Sequence, residues 1–216
     1  GRVKLFMDGV TDSYTAYYVD DYLDRPGFHG EALFGADEFN AAAIEIEKRG
    51  LQINVHCVGD AAVRRTLDGC AAARKVHGPR DTRHRIEHIE LVHPDDIPRF
   101  KELGVIASMQ TLHAPGIQFP VDSFLGHIPA KSLPYAFAWN EMRAVSPVMP
   151  FASDWPVSPL DPMLSFYAGM ARQPLVPGLP DQRQTLMQCI AGYTRDGAYA
   201  EFAESRKGKL KPGMLA

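Results

Sequence analysis

Four residues from distant parts of the chain share one local setting. Lys4 in VKLFM, His56 in LQINVHC, His88 in RHRIEHIE and Asp154 just after VMPFAS each stand at or near the carboxyl end of a short apolar run. Two imidazoles, a carboxylate and an amine are a donor set that suits a divalent metal. Neutral imidazole and carboxylate favour zinc or a similar ion, one or two in number, and a catalytic site keeps one position open for water. A single histidine at a strand end is as readily a core hydrogen-bonding residue as a ligand. The pair, each at a polar-flanked strand end, tips the reading toward ligation. Lys4 has two readings of its own. As a cation it is expensive to bury, so it either points outward into solvent or is altered. A buried amine that has lost its proton can take up carbon dioxide, and the resulting carbamate is a carboxylate that bridges two metal ions.

Residues so far apart meet only if their elements carry them to one place. VKLFM reads as a strand closed by the Asp8-Gly9 turn signal. Residues 10–35, rich in Tyr, Asp and Gly without helical period, read as a long loop over a site. From Asp37, the spacing of Phe39, Ala42, Ala43 and Ile46 predicts a helix that Gly50 stops. LQINVHC is a second strand, Gly59-Asp60 a turn and N-cap, and a helix follows through about Lys75 with Val63, Leu67 and Cys70 inward. RHRIEHIE is the third strand, 95–103 a helix with Ile97, Phe100 and Leu103 on one face, and GVIASMQ the fourth strand. At its end stand Gln110 and His113. A long irregular excursion over 110–147, marked by Pro115, Pro120, Pro129, Pro134 and Pro147, precedes VMPFAS as strand five. Helices are expected over 164–172 and 184–202, then a polar tail, KGKLKPGMLA.

Strands alternating with helices in this way argue for parallel βαβ units, either an open doubly wound sheet or a (β/α) barrel. No glycine-rich phosphate fingerprint follows any strand, which removes the usual nucleotide-binding open sheets. Polar side chains follow the strands instead, and in a barrel those ends converge on one mouth. The expected class is therefore α/β, a partial (β/α)8 TIM-type barrel.

Composition narrows the partners. With 45% hydrophobic and 23% charged residues in 216, the chain supports one sizeable core. A net charge of -3 without a dense Lys/Arg block gives no footprint for nucleic acid. No stretch has the length of a membrane span, and the start, GRVKLFMDGV, lacks a secretory apolar core. Cys57, Cys70 and Cys189 are odd in number and lack C-x-x-C spacing, so neither a disulfide framework nor a thiolate zinc site is supported. A small-molecule substrate and a cytoplasmic location are expected.

The segments VKLFMDG, NVHCVGDAAV, HRIEHIELV, IASMQTLHAP and FASDWPV, in that order, resemble the amidohydrolase superfamily. The branch is the family 3 type, with N-substituted formamide deformylases and related metal-dependent hydrolases. The resemblance runs across nearly the whole chain and implies a barrel with a metal centre at its mouth. It further implies a carboxylated Lys4, ligands His56 and His88, and Asp154 as ligand and proton acceptor. His113, in QTLHAP, matches a family histidine near the substrate, although the family usually has Pro where Thr111 stands. A further departure is larger. The family's first strand carries an H-x-H pair, and none occurs among the eight histidines here. Only five strands are visible where a closed barrel has eight. The expectation is an internal piece, roughly strands 4 to 8 with their helices. Residues 1–216 would then form the C-terminal part of a hydrolase barrel, with the N-terminal strands and a small β domain absent. Lys4, His56 and His88 would serve one of two metal positions, and Asp154 with the absent pair the other.

Two functions from different classes follow. One is a metal-dependent hydrolase of amide or other non-peptide C–N bonds in a small molecule, with water as nucleophile and Asp154 as proton shuttle. The other is a non-catalytic metal- or ligand-binding barrel, and the isolated piece is expected to be inactive in hydrolysis. Cut sheet edges and an exposed apolar interior predict self-association. Among other polar residues, His84 is read as a core hydrogen-bonding residue and Glu87 as facing away from His88, paired with Arg64 or Arg65. Asp60 is read as a helix cap, Asp8 as a turn residue or ligand orienter, and Cys57 as core. Trp155, and with less support Tyr14, Tyr17 and Tyr18, are expected to line the substrate pocket.

Overall fold

Four short runs pair in parallel in chain order: β1 (Arg2–Phe6), β2 (Gln52–Cys57), β3 (Arg85–His88) and β4 (Ile106–Ser108). The computed structural model describes residues 1–146 and 148–215; Pro147 of the excursion and Ala216 of the tail lie outside the described residues. A helix fills each link between neighbouring strands: α1 (Ala36–Lys48), α2 (Asp60–His77) and α3 (Ile97–Leu103). Parallel pairing requires such crossovers, so the architecture is the expected α/β partial barrel.

Strand register sorts the side chains. Lys4 pairs with Asn54 and Asn54 with Arg85; Phe6 pairs with His56, His56 with Glu87, and Glu87 with Ser108. Partners in register share a face, so this face is polar throughout except for Phe6 and Ile106. The alternate positions Ile53, Val55, Cys57, Ile86 and Ala107 are fully buried with Phe39 and Ala43 of α1 and Val63 and Leu67 of α2. Gly69 lets α2 approach α1, since a Cβ there would lie 2.4 Å from the Phe39 ring. The inner face is therefore not the exposed apolar surface that the sequence suggested, and that basis for self-association falls away.

Beyond β4 the chain turns through Thr111–His113 into the short helix α4 (Asp122–Leu125). The excursion is not wholly irregular, because α5 (Trp139–Val145) lies within it and fully buries Trp139. Arg172, itself buried, ties this region down by donating to the carbonyls of Phe137 and Ala136 while its guanidinium lies 4.6 Å from the Trp139 ring. The fifth strand is a single parallel bridge, Met109 with Phe151, held by Met109 N–H to Pro150 O and Ala152 N–H to Met109 O. The C-terminal helices are α6 (Pro162–Ala171), α7 (Leu186–Tyr193) and α8 (Arg195–Ala200). The expected single helix over 184–202 breaks at Thr194, whose φ of -127° and ψ of -87° leave the helical region. Asp161 caps α6 by accepting Met163 N–H at 2.9 Å, and Thr185 caps α7.

Candidate metal centre

The carboxyl ends of β1 to β4 open into a cavity of about 490 Å3. Lys4, His56, His88, His113 and Asp154 all line it, together with Glu90. His56 reaches it by plain alternation from β2. Its Nε2 lies 2.8 Å from the carbonyl of Gly9 and 3.8 Å from Asp8 Oδ1. An Nε2–H donated to Gly9 leaves the lone pair on Nδ1.

His88 arrives differently. Its register partner is Cys57, which faces α2 and sits 3.1 Å from the Thr66 hydroxyl. Alternation alone would send His88 the same way. The backbone instead turns left-handed at His88 (φ 76°) and again at Ile89 (φ 53°). Such values cost roughly 1–3 kcal/mol each for residues other than glycine, and the cost is greatest for a β-branched Ile. The turn brings the His88 ring to 4.3 Å from that of His56. The same geometry corrects Glu87, which shares the inner face with His56 and pairs with Arg85 at 3.3 Å rather than with Arg64 or Arg65.

His113 comes from the turn after β4 and stacks on His88, ring centroids 5.6 Å apart and planes 11° from parallel. Asp154 follows the Phe151 bridge with its own left-handed φ of 54° and remains exposed. One ligand atom from each of His88, His113 and Asp154 lies within 4.8 Å of the others. Among the described residues this grouping of donors could hold a metal ion, and it includes His113, which the sequence placed beside the substrate. Lys4 shares the cavity but is exposed, its Nζ 5.2 Å from the centre of the Phe6 ring, so the burial considered for it is not seen. Trp155 is 64% exposed, and the cavity takes Val157 from that loop in its place. Tyr14, Tyr17 and Tyr18 do not line it; the Tyr18 hydroxyl bonds Thr11, and Tyr14 lies under Arg25.

Asp8 has a definite task. Its two oxygens accept the N–H groups of Val58, Gly59 and Tyr17 at 2.9, 2.8 and 2.9 Å, which clamps the loops after β1 and β2 together beneath His56. Gly59 permits the approach, since a Cβ there would lie 2.0 Å from the Tyr17 carbonyl. Asp60, expected as a cap, instead accepts Val19 N–H at 2.8 Å, and Gly59 takes the N-cap position. Burial pushes Asp8 up to about 7 in spite of its three donors.

Electrostatics fit a cation. Burial lowers the pKa of His56 and His113 and sets that of His88 well below the usual imidazole value, with neighbouring positive charge at His56 and His88 adding to the effect. The rings are thus neutral at pH 7 and offer lone pairs. His88 Nδ1 and His113 Nε2 are buried without any hydrogen-bond partner. Two orphaned imidazole nitrogens with a carboxylate at this spacing are what a tetrahedral or open divalent site requires.

An amidohydrolase family, described in those words, matches residues 1–216. Protein LONG AFTER FAR-RED 3 of Arabidopsis thaliana is 30% identical over 219 residues, covering 100% of this chain and 37% of its own length. N-substituted formamide deformylase of Arthrobacter pascens is 24% identical, with 100% of this chain and 39% of its own length covered. A solved structure of an uncharacterized metal-dependent hydrolase from Pyrococcus furiosus superposes with a TM-score of 0.83 at 29% identity, over 99% of this chain and 42% of that one. The chain thus spans about two fifths of the length of the proteins it matches.

Proposed function

The chain belongs to the amidohydrolase family, and from that premise we propose that it forms the metal-holding part of a hydrolase acting on amide or other non-peptide C–N bonds of a small molecule. The single observation that carries this is the grouping of His88, His113 and Asp154, one ligand atom of each within 4.8 Å of the others, in one cavity. His88, His113 and Asp154 are the proposed donors, with His56 and Lys4 at the flank. Zinc suits two neutral imidazoles and a carboxylate best. A divalent ion bound there supplies Lewis acidity, polarising the scissile carbonyl and making water easier to deprotonate. Asp154, open to the cavity, takes the proton from attacking water and delivers it to the leaving nitrogen. Asp8 holds His56 in place through the loops it clamps. Carboxylation of Lys4 would replace its ammonium with an anionic donor beside His56.

The partner is a small molecule, and the buried free cysteines suit a reducing compartment such as the cytoplasm. No described helix is long and apolar enough to cross a membrane. Pairing of the free β1 edge with a second copy remains part of the proposal. Metal analysis after equilibration with zinc, followed by assay on N-substituted formamides and other simple amides, tests the whole reading. Stoichiometric zinc that is lost in His88→Ala and His113→Ala, together with hydrolysis, supports it. Zinc without hydrolysis leaves the non-catalytic binding barrel, and no zinc at all overturns both.

A further inference from the structure

The cavity is lined by acidic and aromatic residues that the hydrolytic reading leaves unused. Glu90 lies two residues beyond His88, and its side chain is only 15% exposed. Glu90 lines the cavity, and its Oε1 lies 4.0 Å from His113 Nδ1, which is beyond hydrogen-bond length. Among the described residues that histidine is the only basic group within ion-pair distance of it. Asp12, from the loop after β1, adds a second carboxylate to the lining, and Phe119, Phe124 and Phe137 supply aromatic walls.

The ionised form of a carboxylate so largely buried and without donors is costly, and a partner cation offsets that cost. Aromatic faces beside it favour an organic cation over a metal ion or water. His113 of the same lining is 7% exposed at its side chain, and its Nε2 is buried without a hydrogen-bond partner. A cavity of about 490 Å3 also lies within the range of small-molecule sites. We propose that Glu90, set among Phe119, Phe124 and Phe137 beside the metal-facing histidines, receives an ammonium group carried by the substrate. Glu90 is then a specificity residue, and the substrate class is narrowed to cationic amides. Their charged substituent lies against Glu90 while the scissile bond faces His88, His113 and Asp154. This assignment rests on the reading of the cavity as the substrate pocket.

The test uses the full chain loaded with zinc and two probes of nearly equal shape, 2-phenylethylammonium and neutral 2-phenylethanol, with affinities measured by calorimetry at pH 7. The ammonium should bind about tenfold more tightly than the alcohol. Glu90→Gln should abolish that preference while changing alcohol affinity and zinc content by less than about twofold. Glu90→Asp, which keeps the charge but shortens its reach, should retain part of it and guards against a fold defect in the first variant. Equal binding of the two probes by the unmodified chain overturns the proposal. So does a preference that survives Glu90→Gln and disappears when zinc is removed, because the amine would then be binding at the metal centre. A preference that depends on Glu90 in a chain that holds no zinc sustains the ammonium site while overturning the metal reading.

Discussion

The two ends of β3 hold histidines four residues apart that differ in almost everything but sequence. At the amino end, His84 is buried with both ring nitrogens engaged: Nδ1 accepts Ile53 N–H at 3.1 Å and Nε2 lies 3.2 Å from Glu47, which Arg80 in turn holds at 2.6 Å. At the carboxyl end, His88 is equally buried, yet its Nδ1 has no partner and its backbone is held left-handed. Satisfied polar groups tie a fold together; an orphaned one held in a strained conformation points to a ligand. The same division is drawn across barrels in general, with the amino-end face serving stability and the carboxyl-end face chemistry.

The sharpest way to break this comparison is metal affinity. His88→Ala removes a proposed ligand and should weaken zinc binding by at least about 100-fold, since loss of even an outer partner costs 10–100-fold. His84→Ala should leave zinc affinity within about twofold. Competition with a chromogenic chelator reads both. If the two variants lose zinc equally, the division between the ends fails.

Stability should rank the pair in reverse. His84→Ala strips the acceptor from Ile53 N–H and the partner from Glu47 in a closed site, and should cost about 2–4 kcal/mol in urea unfolding of the metal-free chain. His88→Ala, which removes an unpaired polar atom, should change that value by less than about 1 kcal/mol. Asp8→Asn probes a residue of mixed character, structural in its contacts but placed at the chemical end. An amide has one acceptor oxygen and an NH2 that opposes one of the three N–H groups now facing the carboxylate. A loss of about 2 kcal/mol is expected. Because the clamp lies under His56, any fall in zinc affinity should stay below that of His88→Ala.

The sequence displayed the division only in part. Alternating strands and helices, and polar residues at the carboxyl ends, were enough to place Lys4, His56, His88 and Asp154 around one cavity. His84 was also legible, because a histidine deep in a strand has few options other than core hydrogen bonds. What could not be read was the path of the chain past Glu87. Period-two alternation assumes regular strand geometry to the end, and HIE contains no glycine or asparagine to signal a left-handed turn. Regular alternation therefore puts His88 and Glu87 on opposite faces and points Glu87 toward α2, whereas it pairs with Arg85. The grouping of His113 with His88 and Asp154 depends on a single turn after β4 and on a fifth strand reduced to one bridge. Its only trace in the sequence was His113 standing at the end of GVIASMQ. Lys4 is exposed, and VKLFM by itself leaves open which of its two readings holds.

The smallest expected effect is on acid stability, and it compares the two ends on one scale. Burial lowers the pKa of His84, His56, His88 and His113, and only at His84 does a hydrogen-bonded carboxylate, Glu47, work strongly against the shift. In the unfolded chain these rings titrate near 6.5. Below that pH the unfolded state binds more protons, so the stability they contribute is complete above about 6.5 and is lost as the pH falls toward their folded values. Asp8 and Glu90, pushed up to about 7 and about 8, act in the opposite sense, because their contribution fades as the pH rises through those values. The pH profile of the native sequence is a difference of the two, and variants separate them. Each histidine removed can flatten the loss between pH 6.5 and 5.5 by at most about 1.4 kcal/mol per pH unit. His88→Ala should flatten it more than His84→Ala, since His88 is shifted well below and His84 is partly restored by Glu47. Zinc should widen this difference in the unmodified chain by competing with protons for the same nitrogens, making its acid loss steeper than that of the metal-free form. Urea unfolding at pH 5.5, 6.5 and 7.5, with and without zinc, reads all four slopes. A zinc-loaded chain no more sensitive to acid than the metal-free one would mean that the neutral imidazoles at the carboxyl end are not holding the ion.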